Sequence, residues 1–278
     1  LHVQARSHHS KLIHSGRIEQ TVRAAIVQRL KRYPPAATAS STLGVHVRFD
    51  HDVCQLSLDT SGERLDRRGY RVAAGPAPMR ETMAAALLQW MGWQADQVLM
   101  VPMCGSGTLA IEAALSVAHI APGLQHCFPL VGWPGFSERR WRRVYDKAQA
   151  MRRDVDVRIA LSDIQPEYAA QARRNIAAAG IADMLQPEVH DFFALRPVTE
   201  HGLIMLNPPY GRRIGHAPGD VYRRIGEHLK RHFATWRCMV LAPDQASRQQ
   251  LGLSVRRHLK IRHGGKWIVA LDVSPGKG

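Results

Sequence analysis

Cysteine is scarce and scattered in this chain. Cys54, Cys104, Cys127 and Cys238 lie far apart, and no two form a C-x-x-C pair. That spacing offers neither a zinc cluster nor a disulfide framework, so the expectation is reduced thiols, no metal and a cytoplasmic protein. Acidic residues are also few, with 23 Asp and Glu against 38 Lys and Arg, a formal net charge of +15. A surplus of that size points to a polyanionic partner, and clustered arginines make nucleic acid the first candidate. A long hydrophobic run is missing too. Residues 98–124 are largely apolar, but Pro102, Glu112, Pro122 and glycines interrupt them, so they read as strand, loop and helix rather than a membrane span. Leu1 to Arg6 contain no apolar signal core. Internal repeats and low-complexity tracts are absent as well. The 278 residues suggest ~2 domains, and a hydrophobic content of 45% is enough for a real core.

The order of the elements divides the chain. Residues 1–5 read as a strand, 7–11 as a polar basic turn, and 17–32 as a helix carrying Ile18, Val22, Ala25, Ile26 and Leu30 on one face. Segments 45–49 and 53–58 alternate around Asp50-His51-Asp52, a hairpin signal. Residues 1–60 thus predict a small α+β module. Residues 61–79 read as a basic linker with Arg64, Arg67, Arg68 and Arg71, either facing phosphates or solvated. From residue 80 to 278 helices and strands alternate. Helices are predicted over 81–91, 106–117, 137–153, 166–179, 220–233 and 245–251, and strands over 98–101, 158–161, 185–189, 203–206 and 238–241. The chain closes in a hairpin, 257–262 with 267–273, around Gly264-Gly265. Parallel strands with crossover helices and a terminal hairpin predict a doubly wound, Rossmann-like sheet.

Chemistry-bearing residues fall at the ends of four successive strands. Leu203 to Leu206 must stop at Asn207-Pro208-Pro209-Tyr210, because proline donates nothing to a sheet ladder. So rigid a loop suits methyl transfer to the exocyclic amine of a nucleobase, a nitrogen conjugated with the ring and weakly nucleophilic. The Asn207 side-chain carbonyl and the Pro208 backbone carbonyl are two fixed acceptors for its N–H groups, favouring the pyramidal geometry of the transition state. Tyr210 offers a ring for a flipped base. The same tetrapeptide is also an ordinary turn. Upstream, Pro102-Met103-Cys104-Gly105-Ser106-Gly107-Thr108 joins a strand to a helix by a glycine turn. Backbone there approaches a ligand closely. The turn is neither a Walker loop nor a G-x-G-x-x-G fingerprint. Asp163 ends the second strand, where open α/β sheets bind ribose hydroxyls; it equally suits a helix cap. After the third strand, Asp191 is an acceptor for an adenine amine and Phe192 a ring to pack on it, or the pair is turn and core. All four positions share the carboxyl edge of one sheet, where ligands bind.

With these residues in place, the chain resembles the class I S-adenosylmethionine methyltransferases with an Asn-Pro-Pro-Tyr motif. More closely, it resembles the THUMP-containing RNA methylases that modify guanine N2 in large-subunit ribosomal RNA or in tRNA. The matching stretches are Ser10 to Gly16, Leu58 to Glu63, Arg68-Gly69-Tyr70-Arg71, Met103 to Thr108, Ser162-Asp163 and Asn207 to Gly211. The resemblance implies that residues 1–60 are the end of a THUMP RNA-binding domain whose beginning lies outside this sequence. It also implies S-adenosyl-L-methionine as cofactor, its methionine part on the glycine turn, its ribose on Asp163 with Ile164 alongside, and its adenine at Asp191 and Phe192. Asn207, Pro208, Pro209 and Tyr210 are expected to hold the target base, with Asn207 also next to the cofactor. Ribosomal RNA is favoured over tRNA. Lys11, His14, Arg67, Arg68, Arg71, Arg139, Arg140, Arg212 and Arg213 are the expected contacts to RNA.

One departure bears on activity. The family usually has Asp-Pro before the glycine turn, and this chain has Val101-Pro102. That removes a carboxylate from the expected position of the cofactor's amino group. A rival reading is therefore an RNA-binding module with a decayed cofactor site. A second rival keeps the chemistry and changes the target to adenine N6 in RNA or DNA.

Overall fold

The computed structural model describes residues 1–30, 43–75, 78–209 and 218–276, with the side chains of 218–220 left aside. In chain order the elements begin with β1 (His2–His8), α1 (Ser15–Leu30), β2 (Gly44–Asp50), β3 (Val53–Asp59), α2 (Glu81–Met91), β4 (Leu99–Pro102) and α3 (Thr108–Val117). They continue with α4 (Glu138–Ala150), β5 (Ile159–Asp163), α5 (Pro166–Ala178), β6 (Pro187–Val189) and β7 (Leu203–Leu206). The last are α6 (Pro218–His232), β8 (Arg237–Ala242), α7 (Gln245–Leu251), β9 (Ser254–His263) and β10 (Lys266–Ser274). They form two compact units, Leu1–Arg67 with Gly123–Ala150, and Arg68–Pro122 with Met151–Gly278.

In the first unit β1 pairs with β2 in parallel, and β2 with β3 as an antiparallel hairpin. Val3, Ala5, Val45 and Val47 form its core with Ile18 of α1. β1 runs on through Ser7 and His8, which sequence reading places in a turn. Their side chains are polar, but a ladder is made by backbone groups, and His2–His8 pairs residue for residue with Gly44–Asp50. Gly123–Ala150, read in the sequence as part of the second domain, is held here by side chains that seek backbone carbonyls. Trp133 Nε1–H donates to Asp59 O at 3.3 Å, and His126 Nε2 lies 2.7 Å from Ser61 O. Phe128 and Trp141 meet edge to face at 5.2 Å, anchoring α4, which buries no residue fully.

The second unit is built on a seven-stranded sheet in the order β6-β5-β4-β7-β8-β10-β9. β10 alone runs antiparallel to its neighbours, and it brings the C-terminal hairpin onto the edge. Successive strand residues alternate between two cores. Leu99, Val101, Met205, Met239 and Leu241 meet α2, α3 and α5 on one face, while Met100, Ile204, Leu206 and Val240 meet α6 and α7 on the other. A sheet covered on both faces needs continuous apolar strands, which is why β4, β7 and β8 read as unbroken hydrophobic runs.

The basic linker expected over 61–79 is corrected from residue 68 onward. Tyr70 is 2% exposed and donates to Glu112 Oε1 at 2.9 Å. Arg68 grips both oxygens of the same carboxylate, at 3.2 and 3.0 Å. Arg71 pairs with Glu81 at 3.1 Å and donates to Met79 O at 2.6 Å. Both glutamates are buried, and a buried carboxylate needs a matched cation. Burial foremost pushes the Glu112 carboxyl above its usual range, against the pull of Arg68. Arg68 and Arg71 are thus structural and do not form a strip facing phosphate. No helix among the described residues is long and apolar enough to cross a membrane.

Candidate active site

The site lies at the carboxyl edge of the second unit's sheet, where β4, β5 and β7 end. β4 leads into the glycine turn, and the turn closes on itself when the Gly107 N–H donates to Cys104 O at 2.9 Å. Gly105 and Gly107 have φ of 53° and 82°, the left-handed region that favours glycine. A Cβ on Gly105 would meet nothing within 4 Å, so its backbone faces open space. A Cβ on Gly107 would lie 3.1 Å from Ala172, so this second glycine is set by the close approach of α5. Met103 also sits at positive φ, 53°, an uncommon conformation for a residue with a side chain.

β5 delivers Asp163 to the same place. Its Oδ2 accepts from the Gly105 N–H at 3.0 Å, and its Oδ1 accepts from the Gln165 N–H at 3.1 Å. One carboxylate thereby fixes the glycine turn and the start of α5. From β7 come Asn207, Pro208 and Pro209. Asn207 Oδ1 is buried and has no hydrogen-bond partner among the described residues. An unpaired buried carbonyl costs free energy, about 1–3 kcal/mol, and marks a place where a donor is missing.

These three segments surround one cavity of about 530 Å³, within the range of small-molecule and cofactor sites. Of the residues singled out in the sequence, Pro102 to Ser106, Thr108, Asp163, Ile164 and Asn207 to Pro209 line it, and Gly107 stands behind the turn. Val101 lines it too, so the wall is apolar at the position where the resemblance led to the expectation of a carboxylate. The Cys104 thiol is pushed up to about 12, by burial first and by the Asp163 charge second, and it stays protonated at neutral pH.

Several wall residues escape sequence reading: Gly75, Pro78-Met79, Leu109, Gln165 and Glu167-Tyr168. Met79 is held by Arg71, and the segment just before Gly75 is held by Asn175 on α5. Its Oδ1 accepts from the Val72 and Ala73 N–H groups at 3.0 and 2.9 Å, and its Nδ2 donates to Ala73 O at 2.8 Å and Ser106 O at 2.9 Å. The only signal was an Asn inside an otherwise Ala-rich helix face.

The third-strand residues do not join the cavity. Phe192 is buried among α6 side chains, 4.7 Å from the His228 ring, so its ring is core and is not free to pack on adenine. Asp191 is exposed and its Oδ1 accepts from the Phe193 N–H at 3.0 Å, capping a short 3-10 turn. Tyr210, Arg212 and Arg213 lie outside the described residues. Lys11, His14, Arg139 and Arg140 are exposed, and Arg67 is exposed with its guanidinium on Glu63 at 2.8 Å.

His228 gives a pH signature. Burial foremost, then His232 and Arg196, pushes its imidazolium down to about 4 from 6.5. Between those values the unfolded chain binds more protons than the folded one, so this contribution is full above pH 6.5 and is lost as pH falls toward 4. Urea unfolding of His228→Asn is expected to depend less on pH between 7 and 4.5 than that of the wild type. Parallel pH profiles would show that His228 is not the titrating group.

A doubly wound sheet with an antiparallel seventh strand and a cavity at its carboxyl edge defines the Rossmann-like class of methyltransferases. The chain belongs to the UPF0020, RMKL-like methyltransferase domain family, whose model matches residues 68–266. It is 34% identical over 275 residues to a Synechocystis protein named Putative RNA methyltransferase slr0064, covering 95% of this chain and 71% of that one. It is 32% identical over 255 residues to the ribosomal RNA large subunit methyltransferase K/L of Shewanella frigidimarina, covering 87% of this chain. The chain spans 36% of that relative's length. Among solved structures, that of SMU.472, described as a putative methyltransferase complexed with SAH, superposes with a TM-score of 0.83 at 27% identity, over 100% of this chain and 75% of that one.

Proposed function

We propose that the chain methylates the exocyclic amine of a base in RNA, with guanine N2 of large-subunit ribosomal RNA as the first target and S-adenosyl-L-methionine as the cofactor. The carrying observation is the cavity that joins the glycine turn, Asp163 and Asn207 Oδ1, which has no partner among the described residues. The residues suit the cofactor. Gly105 leaves open backbone for its methionine part, the Asp163 carboxylate retains lone pairs for ribose hydroxyls, and Ile164 and Tyr168 supply apolar and aromatic surface beside it. The group supplies a methyl already activated by a positively charged sulfur. The chain's own work is to present the amine. Asn207 Oδ1 and the Pro208 carbonyl accept its two N–H groups, on a loop whose prolines leave little to reorganise. Exposed Asp191 is the proposed acceptor at the adenine end. The first unit takes the RNA-binding role that its THUMP-like sequence suggests, with Lys11, His14, Arg67, Arg139 and Arg140 as phosphate contacts.

Calorimetric titration with S-adenosylhomocysteine tests the cofactor site. One molecule should bind per chain, more weakly in Asp163→Ala. No heat of binding in the wild type would favour the decayed-site reading, for which Val101 is the specific observation.

A further inference from the structure

The C-terminal hairpin carries a feature with no role in the cavity or the cores. From Ser254 to Trp267 the sequence contains no acidic residue. β9 is the edge of the sheet, paired only with β10. One of its faces is structural. Arg257 lies over the Trp90 ring at 4.6 Å and pairs with Asp272 at 2.9 Å, Ile261 packs on the core, and His263 is buried. The opposite face carries His258, Lys260 and Arg262, all exposed. No ion pair is recorded for Lys260 or Arg262 among the described residues. Arg262 stands directly across from Trp267, which is 66% exposed although it is among the largest apolar side chains of the unit.

We infer that this outer face of the β9–β10 hairpin is a second RNA-binding surface, on which Trp267 stacks a base flanking the target while Lys260 and Arg262 hold phosphates. Placement supports it. β10 is two strands from β7, and Val269 pairs with Ala242 at the carboxyl end of β8, so Trp267 reaches past the same sheet edge as Asn207. With ~4.8 Å between strands and ~3.3 Å rise per residue, Trp267 lies on the order of 15 Å from Asn207. Nucleotides adjoining a base held at Asn207 can cover that span. Charge complementarity selects the occupant: a cationic face with an exposed indole matches single-stranded nucleic acid, whose bases stack on aromatic rings while its backbone tracks positive charge. Lysines on an edge strand also keep sheets from pairing edge to edge, but an exposed tryptophan adds apolar surface and would work against that. The inference rests on RNA being the substrate.

The test is RNA binding by the full chain, measured by filter binding of unmodified ribosomal RNA fragments across a salt series, with S-adenosylhomocysteine affinity as the folding control. Trp267→Ala should weaken RNA binding about tenfold, with Trp267→Phe restoring most of it. Lys260→Gln with Arg262→Gln should lower the salt slope by about 1.4, the value for two lost contacts to a single strand. Cofactor affinity should not change in any of them. If the wild type binds RNA and these variants bind it equally well with the same slope, the hairpin is not a contact surface and the proposed function still stands. If the wild type binds no RNA, the proposed function fails and this inference falls with it.

Discussion

Asn207→Ala is expected to lower the rate of methyl transfer by about a hundred- to a thousandfold, while S-adenosylhomocysteine affinity changes little. The magnitude is that of removing one fixed polar group aimed at a reacting centre. Asn207 Oδ1 is buried and has no hydrogen-bond partner among the described residues, so alanine is not expected to release a bond made by that oxygen. Its removal should even spare the protein a desolvated acceptor, and stability should be unchanged or slightly raised. The loss should therefore appear in kcat rather than in the midpoint of unfolding. Single-turnover transfer with saturating RNA, beside a urea titration, separates the two. A variant that keeps near-normal turnover would remove Asn207 from the mechanism. One that loses activity and stability together would make it a structural residue.

Asn175→Ala is expected to have the largest effect on stability. Asn175 is 1% exposed and uses all four of its hydrogen-bonding sites on backbone groups of residues 72, 73 and 106. Alanine would leave the Ala73 N–H and the carbonyls of Ala73 and Ser106 in want of partners, while the Val72 N–H keeps its bond to Tyr70 O at 3.0 Å. At ~1–3 kcal/mol for each group left unsatisfied, a loss of several kcal/mol is expected even after relaxation. That is a large share of the ~5–15 kcal/mol that holds a domain together. The cofactor cavity should suffer as well, because Gly75 of its wall lies two residues from Ala73, which Asn175 holds. Asn175→Asp sharpens the test. It matches asparagine in shape but sets carboxylate oxygens against the carbonyls of Ala73 and Ser106, so it should be no more stable than the alanine variant at neutral pH. Near-wild-type stability of Asn175→Asp would show that shape, not the donor pair, is what the site needs.

The sheet was legible because its strands are apolar runs closed by glycine, proline or acidic residues, and three of its four edge positions were legible for the same reason, Asp163 at the end of β5 among them. A glycine turn must follow β4, and two prolines must end β7. The rest depended on partners distant in sequence. Arg68 reads as a phosphate contact until Glu112, 44 residues on, is seen to be buried beneath it. Phe192 reads equally well as a stacking ring or as core, and it is α6 that makes it core. Tyr168 and Met79 line the cavity through tertiary placement alone. The polar end of β1 is a strand because β2 offers it a ladder, a property of the backbone that side-chain patterns do not report.

The most direct test of the central claim is transfer of a labelled methyl group from S-adenosylmethionine to unmodified ribosomal RNA, tRNA and DNA, followed by digestion and identification of the modified nucleoside. N2-methylguanosine from ribosomal RNA is the expected product, absent with Asn207→Ala. N6-methyladenine would keep the role of Asn207 and overturn the choice of base. No transfer to any nucleic acid by a chain that binds both S-adenosylhomocysteine and RNA would contradict the account.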